Sequence, residues 1–308
     1  MELYHLRSFA TVAEEGHLTR AADRLHVSQP AVSGQIKALE QSLGVRLFER
    51  TSAGMTLTVA GRELLPLARR VLASADALRQ AARGLSGEVA GVLRIGTVSH
   101  PGSIRLGDLL AAAVERHPRL ELELQHEVSG AALEAVRDGR LDASFYFGDA
   151  PGRDVTALRL REFVYCVAAP AAWADRVSDA DWSDIAALPW IQTPAISTHN
   201  RLVTRLFEQQ GGEPPQRRVE ADQESVIESL VVSGVGLSLM REDAARARAA
   251  AGEVCSWSKA RLRTTLWFVC QAGRESDPLL KALFELLRET WRLPPAAPKA
   301  APAPALSD

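Results

Sequence analysis

Apolar residues in the first part of the chain recur at helical spacing and break where turns belong. Leu6, Phe9, Val12 and Ala13 mark one helical face, and Gly16 provides a stop. "LTRAADRL" predicts a second helix, N-capped by Thr19, with Ala22 and Leu25 turned inward. A third follows in "SQPAVSGQIKALEQSLG". Ser28 is its expected N-cap, Pro30 sits in the first turn where a missing N–H costs nothing, and Gly44 closes it. Val32, Ile36, Leu39 and Leu43 form its apolar stripe; at about 100° per residue, Pro30, Ser33, Gly34 and Lys37 fall on the opposite side. "VRLFER" and "MTLT", separated by "TSAG", predict a β-hairpin.

Two short helices joined by a tight turn, the second polar on its outer face, form a helix-turn-helix pattern with the hairpin as a wing. The second helix of such a unit enters the DNA major groove by its N-terminal half. Gln29 and Ser33 are then expected at base edges and Lys37 at a phosphate. Thr19, Arg20, Ser28, Pro30, Ala31, Gly34, Arg50, Thr51 and Ser52 complete the expected DNA face.

"LTRAADRLHVSQPAVSGQIKALEQSLGVRLFER", followed by "LTVAG", closely resembles the DNA-binding domain of LysR-type transcriptional regulators, over about residues 1–65. Two positions depart from that family. It commonly carries arginine where this chain has Gly34, and often a second basic residue near Ala53. Arg7, Arg20, Arg24, Lys37, Arg46 and Arg50 are matched by Glu2, Glu14, Glu15, Asp23, Glu40 and Glu49, so residues 1–58 have no net charge. Either the missing Cβ at Gly34 brings the helix backbone closer to the groove, or a phosphate-contacting arginine has been lost and the dimer tolerates it.

Thr58 is placed to cap a long helix running to about Ser86. Leu64, Ala68, Val71, Ala75, Leu78, Ala82 and Leu85 alternate steps of four and three, an a/d seam over three heptads. That predicts a dimer seam; the alternative is a helix lying on its own domain. The resemblance agrees with the dimer, since the family joins its DNA-binding domains through such a helix. Gly84 and Gly87 mark a hinge.

From residue 92 strands and helices alternate: "VLRIGTV", "SIRLGDLLAAAVERHP", "LELELQHEV", "GAALEAVRDG" and "DASFYFG". This β-α-β-α-β order predicts a parallel sheet covered by helices. A similar unit follows in "FVYCVAAP", "PWIQTP", "HNRLVTRLFEQQG", "RRVEAD", "SVIESLVVSG" and "GLSLMRE", and then the strand "TTLWFVCQA" and the helix "PLLKALFELLRETW". The resemblance implies an effector domain similar to periplasmic binding proteins, with chain crossings near residues 161 and 266. The expected fold is thus α/β with an all-α winged helix-turn-helix N-terminal domain. Residues 1–58 form that domain and 59–88 the linker helix and hinge. One α/β effector subdomain spans 89–161 plus 266–292 and the other 162–265, and 293–308 is a disordered Pro/Ala-rich tail.

In tandem α/β units, ligands sit in the crevice at the carboxyl ends of the strands. Ser99, His100 and Ser103 follow one strand, and Ile196, Ser197, Thr198 and His199 follow its counterpart. Helix N-termini there would suit a small carboxylate, although each hydroxyl could merely cap its own helix. Val128, Ser129, Gly130, Phe147 and Gly148 are secondary wall candidates, and Trp190 is expected near the cleft.

Composition narrows the alternatives. The 308 residues are 46% hydrophobic and 24% charged, with a net charge of −2. No apolar run approaches the roughly 20 residues that span a bilayer, and "MELYHLRSFA" lacks a signal core, so a cytoplasmic location is expected without a membrane partner. Cys166 and Cys270 lie in apolar strands, Cys255 sits in the less predictable stretch "EVCSWS", and reduced thiols fit better than a disulfide framework. No histidine pair has metal-ligand spacing, and no cofactor or metal is expected. An enzyme fused to a DNA-binding domain would need a catalytic cluster, and neither HExxH nor GxSxG occurs. A constitutive scaffold with a vestigial cleft is a third alternative. The resemblance implies double-stranded promoter DNA, a small effector such as a carboxylate, a homodimer through the linker helix assembling to a homotetramer, and RNA polymerase as a further partner.

Overall fold

Helix α1 (Leu3–Glu15) buries Leu6, Phe9 and Val12 and ends at Gly16, where φ is 67°. The computed structural model describes residues 1–52, 54–84, 89–98, 101–212 and 219–295. Helix α2 (Leu18–Leu25) starts two residues earlier than a Thr19 N-cap implies, with His17 at the N-cap position and Thr19 exposed in the first turn. A single extended residue after Gly16 suffices to redirect the chain, so Thr19 is already helical. In α3 (Gln29–Leu43) the Ser28 hydroxyl accepts from the Ala31 N–H at 3.3 Å, and Gly44 ends the helix with φ 71°. Val32, Ile36 and Leu39 are buried; Leu43, in the last turn, lies outside that core and is exposed.

The wing pairs β1 (Phe48–Thr51) with β2 (Gly54–Leu57) in antiparallel register. Glu40 ties it to α3, accepting from the N–H groups of Leu47 at 2.7 Å and Phe48 at 3.3 Å. Helix α4 (Val59–Gly84) begins as expected, with the Thr58 hydroxyl accepting from the Gly61 N–H at 2.9 Å. The predicted seam requires correction. Ala68 is buried in the core of the N-terminal unit with Leu64 packed against it, because α4 lies along α1, where Arg69 meets Glu14 at 2.9 Å. Ala75 is half-buried, whereas Val71, Leu78 and Ala82 are exposed, as is Leu67. Leu85 lies outside the described residues.

The C-terminal unit runs β3 (Ala90–Thr97), α5 (Leu106–Arg116), β4 (Arg119–His126), α6 (Ser129–Arg137), β5 (Ala143–Gly148) and the long β6 (Val155–Pro170). It continues through α7 (Ala174–Val177), α8 (Trp182–Ala187), β7 (Ile191–Gln192), α9 (Thr198–Gln209), β8 (Val219–Glu220), α10 (Glu224–Val232), β9 (Ser238–Arg241) and α11 (Glu242–Ala250). The equally long β10 (Val254–Gln271) and α12 (Pro278–Thr290) complete it.

Strands β4-β3-β5-β10-β6-β9 form one sheet. β3 is parallel to β4 and β5, but β10 is antiparallel to β5 and β6, and β6 to β9. The sheet is therefore mixed rather than parallel. A chain that leaves one half along β6 and returns along β10 must run in both directions. The β6–β10 ladder steps out of register at Leu160, between the pairs Leu266–Arg161 and Trp267–Arg159. β7 and β8 pair in parallel beside β9, joined to it by a Trp190–Leu237 bridge. Helix α11, mostly alanine and charge, has no apolar stripe to announce it in the sequence.

The core follows β5, β10 and α12. Phe268, fully buried, meets Phe145 at 5.1 Å and Phe284 at 5.4 Å between ring centroids, both edge-on. Phe268→Ala should lower the stability of this unit by about 3–5 kcal/mol, the usual range for truncating a buried phenylalanine. Denaturant unfolding followed by tryptophan emission measures it.

Candidate DNA-binding face and effector cleft

Helix α3 is held by its buried stripe and its Ser28 cap, which leaves Gln29, Pro30, Gly34 and Lys37 exposed along the outer side. Ala31 and Ser33 are half-buried. A Cβ built on Gly34 would meet nothing within 4 Å, so packing does not require glycine there. Arg20 donates to the Glu15 carbonyl at the end of α1, which ties part of its guanidinium to the fold. At the wing tip Arg50, Thr51 and Ser52 are exposed, and the Thr51 hydroxyl donates to the Gly54 carbonyl at 3.3 Å. Ala53 lies outside the described residues.

Between the two halves of the C-terminal unit lies a cavity of about 70 Å³. Of the expected wall residues, Val128, Ser129, Phe147, Ser197, Thr198 and His199 line it. Gly148 and Ile196 do not. Gly148 is turned aside, its carbonyl accepting from Trp267 Nε1 at 3.0 Å. The Ile196 backbone presses on Gly130, where a Cβ would come within 2.0 Å of the Ile196 carbonyl oxygen. Only glycine permits that approach between α6 and the loop before α9. Ser103 is also displaced: α5 starts at Leu106 with Arg105 as its N-cap, so Ser103 neither caps the helix nor reaches the cavity. Ser99 and His100 lie outside the described residues. Trp190 is buried in the core against Phe207, its Nε1 donating to the Ile185 carbonyl at 3.1 Å, and does not line the cavity.

The hydroxyls on the wall also hold the fold. Ser197 caps α9 by accepting from the Asn200 N–H at 3.0 Å, and Ser129 accepts from the Phe147 N–H at 3.2 Å. Thr198 donates across the cleft to the Phe147 carbonyl. Arg201 reaches Thr198 Oγ1 at 2.8 Å and the Tyr146 hydroxyl at 3.5 Å, and Arg205 meets Asp149 at 3.1 Å. These contacts clasp one edge of the cleft. His199 Nε2 lies 2.9 Å from the Leu239 carbonyl and therefore carries the proton, leaving Nδ1 to accept from Thr193 at 3.4 Å. Burial pushes the His199 imidazole below its ordinary value, against a smaller opposing effect of the Leu239 hydrogen bond.

The pattern reading missed Val98, Tyr165, Thr193, Leu202, Asp222, Glu224, Ile227, Glu228, Leu239 and Met240 on the wall. Val98 directly follows β3, where a strand end opens on the crevice. Asp222, Glu224 and Glu228 arrive from α10 and its lead-in, which strand-end logic does not survey.

The family described as LysR substrate binding domain matches residues 86–292, and the bacterial regulatory helix-turn-helix proteins of the lysR family match residues 3–62. A Pseudomonas "SDS degradation transcriptional activation protein" is 30% identical over 306 residues, covering 96% of this chain and 99% of that one. A Streptomyces viridosporus protein named "Probable hydrogen peroxide-inducible genes activator" is 41% identical over 140 residues, 46% of this chain and 45% of its own length. Full-length OxyR from Pseudomonas aeruginosa, solved as a point variant, superposes with a TM-score of 0.69 at 26% identity over 95% of each chain.

The neutral, half-buried His199 makes stability depend on pH. Its folded-state value lies below the ordinary 6.5, so the unfolded chain takes up a proton first as the pH falls. The histidine's contribution is therefore complete above about pH 6.5 and is lost progressively below it. The melting temperature of the wild type should fall on acidification from about pH 7 to 5. His199→Gln should fall less steeply over the same range, as calorimetry at each pH will show.

Proposed function

Because the chain belongs to the LysR-type transcriptional regulators, we propose that its DNA binding is governed by a small organic anion held between the two halves of its substrate-binding domain. The helix-turn-helix makes it a DNA-binding regulator; the promoter contacts and the effector are the proposal. Gln29 and Ser33 read base edges, Lys37 holds a phosphate, and Arg50, Thr51 and Ser52 follow the backbone from the wing. Thr19, Arg20, Ser28, Pro30, Ala31 and Gly34 line the same approach. The exposed row Leu67, Val71 and Leu78 on α4 meets its counterpart on a second copy, and two dimers form the tetramer.

One observation carries the effector reading: a cavity lined from both halves, by Ser129 and Phe147 on one side and Ser197, Thr198 and His199 on the other. The N-termini of α6 and α9 present N–H groups that favour an anionic group. A ligand touching both halves weights the clasped arrangement over an opened one, and only such differential affinity can move the equilibrium. Couplings of this kind are typically about 1–3 kcal/mol.

Because one relative is named an activator of hydrogen peroxide-inducible genes, thiol oxidation is the competing signal to weigh. The cysteines do not support it. Cys166 and Cys270 are buried, and burial pushes all three thiols above their ordinary value, Cys270 to about 12. On the β6–β10 ladder Cys166 faces Arg261, Cys255 faces Ala169 and Cys270 faces Thr156, so no two cysteines are cross-strand partners.

Gel retardation of fragments neighbouring its own gene tests the DNA half, and a melting-temperature screen against small carboxylates tests the effector half. Lys37→Ala should flatten the dependence of log Kd on log salt by about one unit, and Gly34→Arg should steepen it by about as much. Since nothing within 4 Å opposes a side chain at Gly34, that variant should fold normally. Unchanged slopes in both would remove α3 from the interface.

A further inference from the structure

The wall of the cavity has a sign that a simple anion does not match. Three carboxylates line it, from Asp222, Glu224 and Glu228, while no lysine or arginine does among the described residues. His199, the remaining titratable nitrogen there, is held neutral by burial. Glu224 lies in the first turn of α10, where the helix dipole favours an acidic side chain. Glu228, one turn on, points to the same side. The cations that balance them stand behind the wall rather than on it. Arg241 Nε is 3.5 Å from Glu224, and Arg248 Nε is 3.0 Å from Glu228. Asp222 is exposed and has no ion pair among the described residues.

A second observation is independent of those charges. Tyr165 lines the same cavity from β6, is only 8% exposed, and its hydroxyl has no hydrogen-bond partner among the described residues. Burial, with Glu224 close by, pushes the phenol well above its ordinary value, so it stays protonated. A phenol set into the wall in this way presents an unused donor to whatever occupies the cavity. The cavity therefore offers N–H groups at the starts of α6 and α9 together with carboxylates and a lone phenol.

We propose that the effector is a zwitterion of the amino-acid class, its carboxylate at the N-termini of α6 and α9 and its ammonium against Asp222, Glu224, Glu228 and the Tyr165 hydroxyl. The assignment rests on the reading that an effector occupies this cleft, and it adds the cationic group. A nitrogen-free carboxylate would satisfy the helix ends but face the acidic wall without compensation. An ammonium donates to carboxylates already oriented by Arg241 and Arg248, and charge-assisted hydrogen bonds of that type are among the stronger ones.

The test is calorimetry on the full-length protein with the standard amino acids, each beside the carboxylic acid of the same skeleton lacking nitrogen and the amine lacking the carboxylate. At least one amino acid should raise Tm while both of its truncated analogues leave it unchanged at the same concentration. Asp222→Asn and Glu228→Gln should each weaken the binding of that amino acid by about tenfold. Asp222 supports no ion pair among the described residues, so its variant should fold normally, and unliganded DNA retardation should be preserved. A nitrogen-free acid that raises Tm as far as its amino acid, with affinity kept or improved in Asp222→Asn, would overturn the zwitterion while leaving an effector in the cleft. No shift from any of the three series would overturn the cleft reading together with it.

Discussion

The antiparallel pairing of β6 with β10 is the constraint on which the C-terminal unit depends. The two strands, 16 and 18 residues long, run through both halves and are the elements those halves share. At about 3.3 Å per residue each spans some 50–60 Å, so the halves are joined by continuous ladder rather than by loose connections. The step in register at Leu160 and the wider irregularity between Trp257 and Arg261 are where that ladder departs from regular pairing. Bulges of this kind bend and twist a sheet locally. The cavity lies beside this shared ladder, with Tyr165 of β6 on its wall, so a shift of one half against the other changes the site directly.

Three hydroxyls of the cleft are under two demands. Ser129, Ser197 and Thr198 line the cavity, yet each also holds a structural hydrogen bond, and Thr198 holds one across the cleft. A ligand arriving here exchanges or supplements bonds that already hold the two halves together. That is how a small molecule can act on a domain-scale arrangement: the bonds it perturbs are the ones that define the arrangement. Behind the acidic part of the wall, Arg241 and Arg248 compensate the half-buried Glu224 and Glu228.

The N-terminal unit solves a different problem, exposing one helix face while holding the helix rigid. Leu39 and Val32 anchor α3 from beneath, Ser28 caps it, and Glu40 binds the wing to it. Helix α4 serves two surfaces in turn. Its first turns complete the core through Leu65 and Ala68, and further along Leu67, Val71 and Leu78 are left uncovered. The glycine at position 34 fills no packing role, since the space beside it is open.

Local chemistry was enough to read the N-terminal unit from the residues alone. Helix periods, the Ser28 and Thr58 caps, the stops at Gly16 and Gly44 and the wing all follow from interactions spanning only a few positions. The alternation of strands and helices likewise announced the α/β class, and strand-end logic found Ser129, Phe147, Ser197, Thr198 and His199 on the cavity wall. Tertiary structure decided what local rules leave open. Whether Ala68 faces a partner or its own core depends on where α1 lies, and the mixed sheet depends on β10 returning beside β6. The acidic wall escaped notice because α10 approaches the cavity from a distant part of the chain. Periodicity tells which side of a helix is polar, but only packing tells what that side confronts.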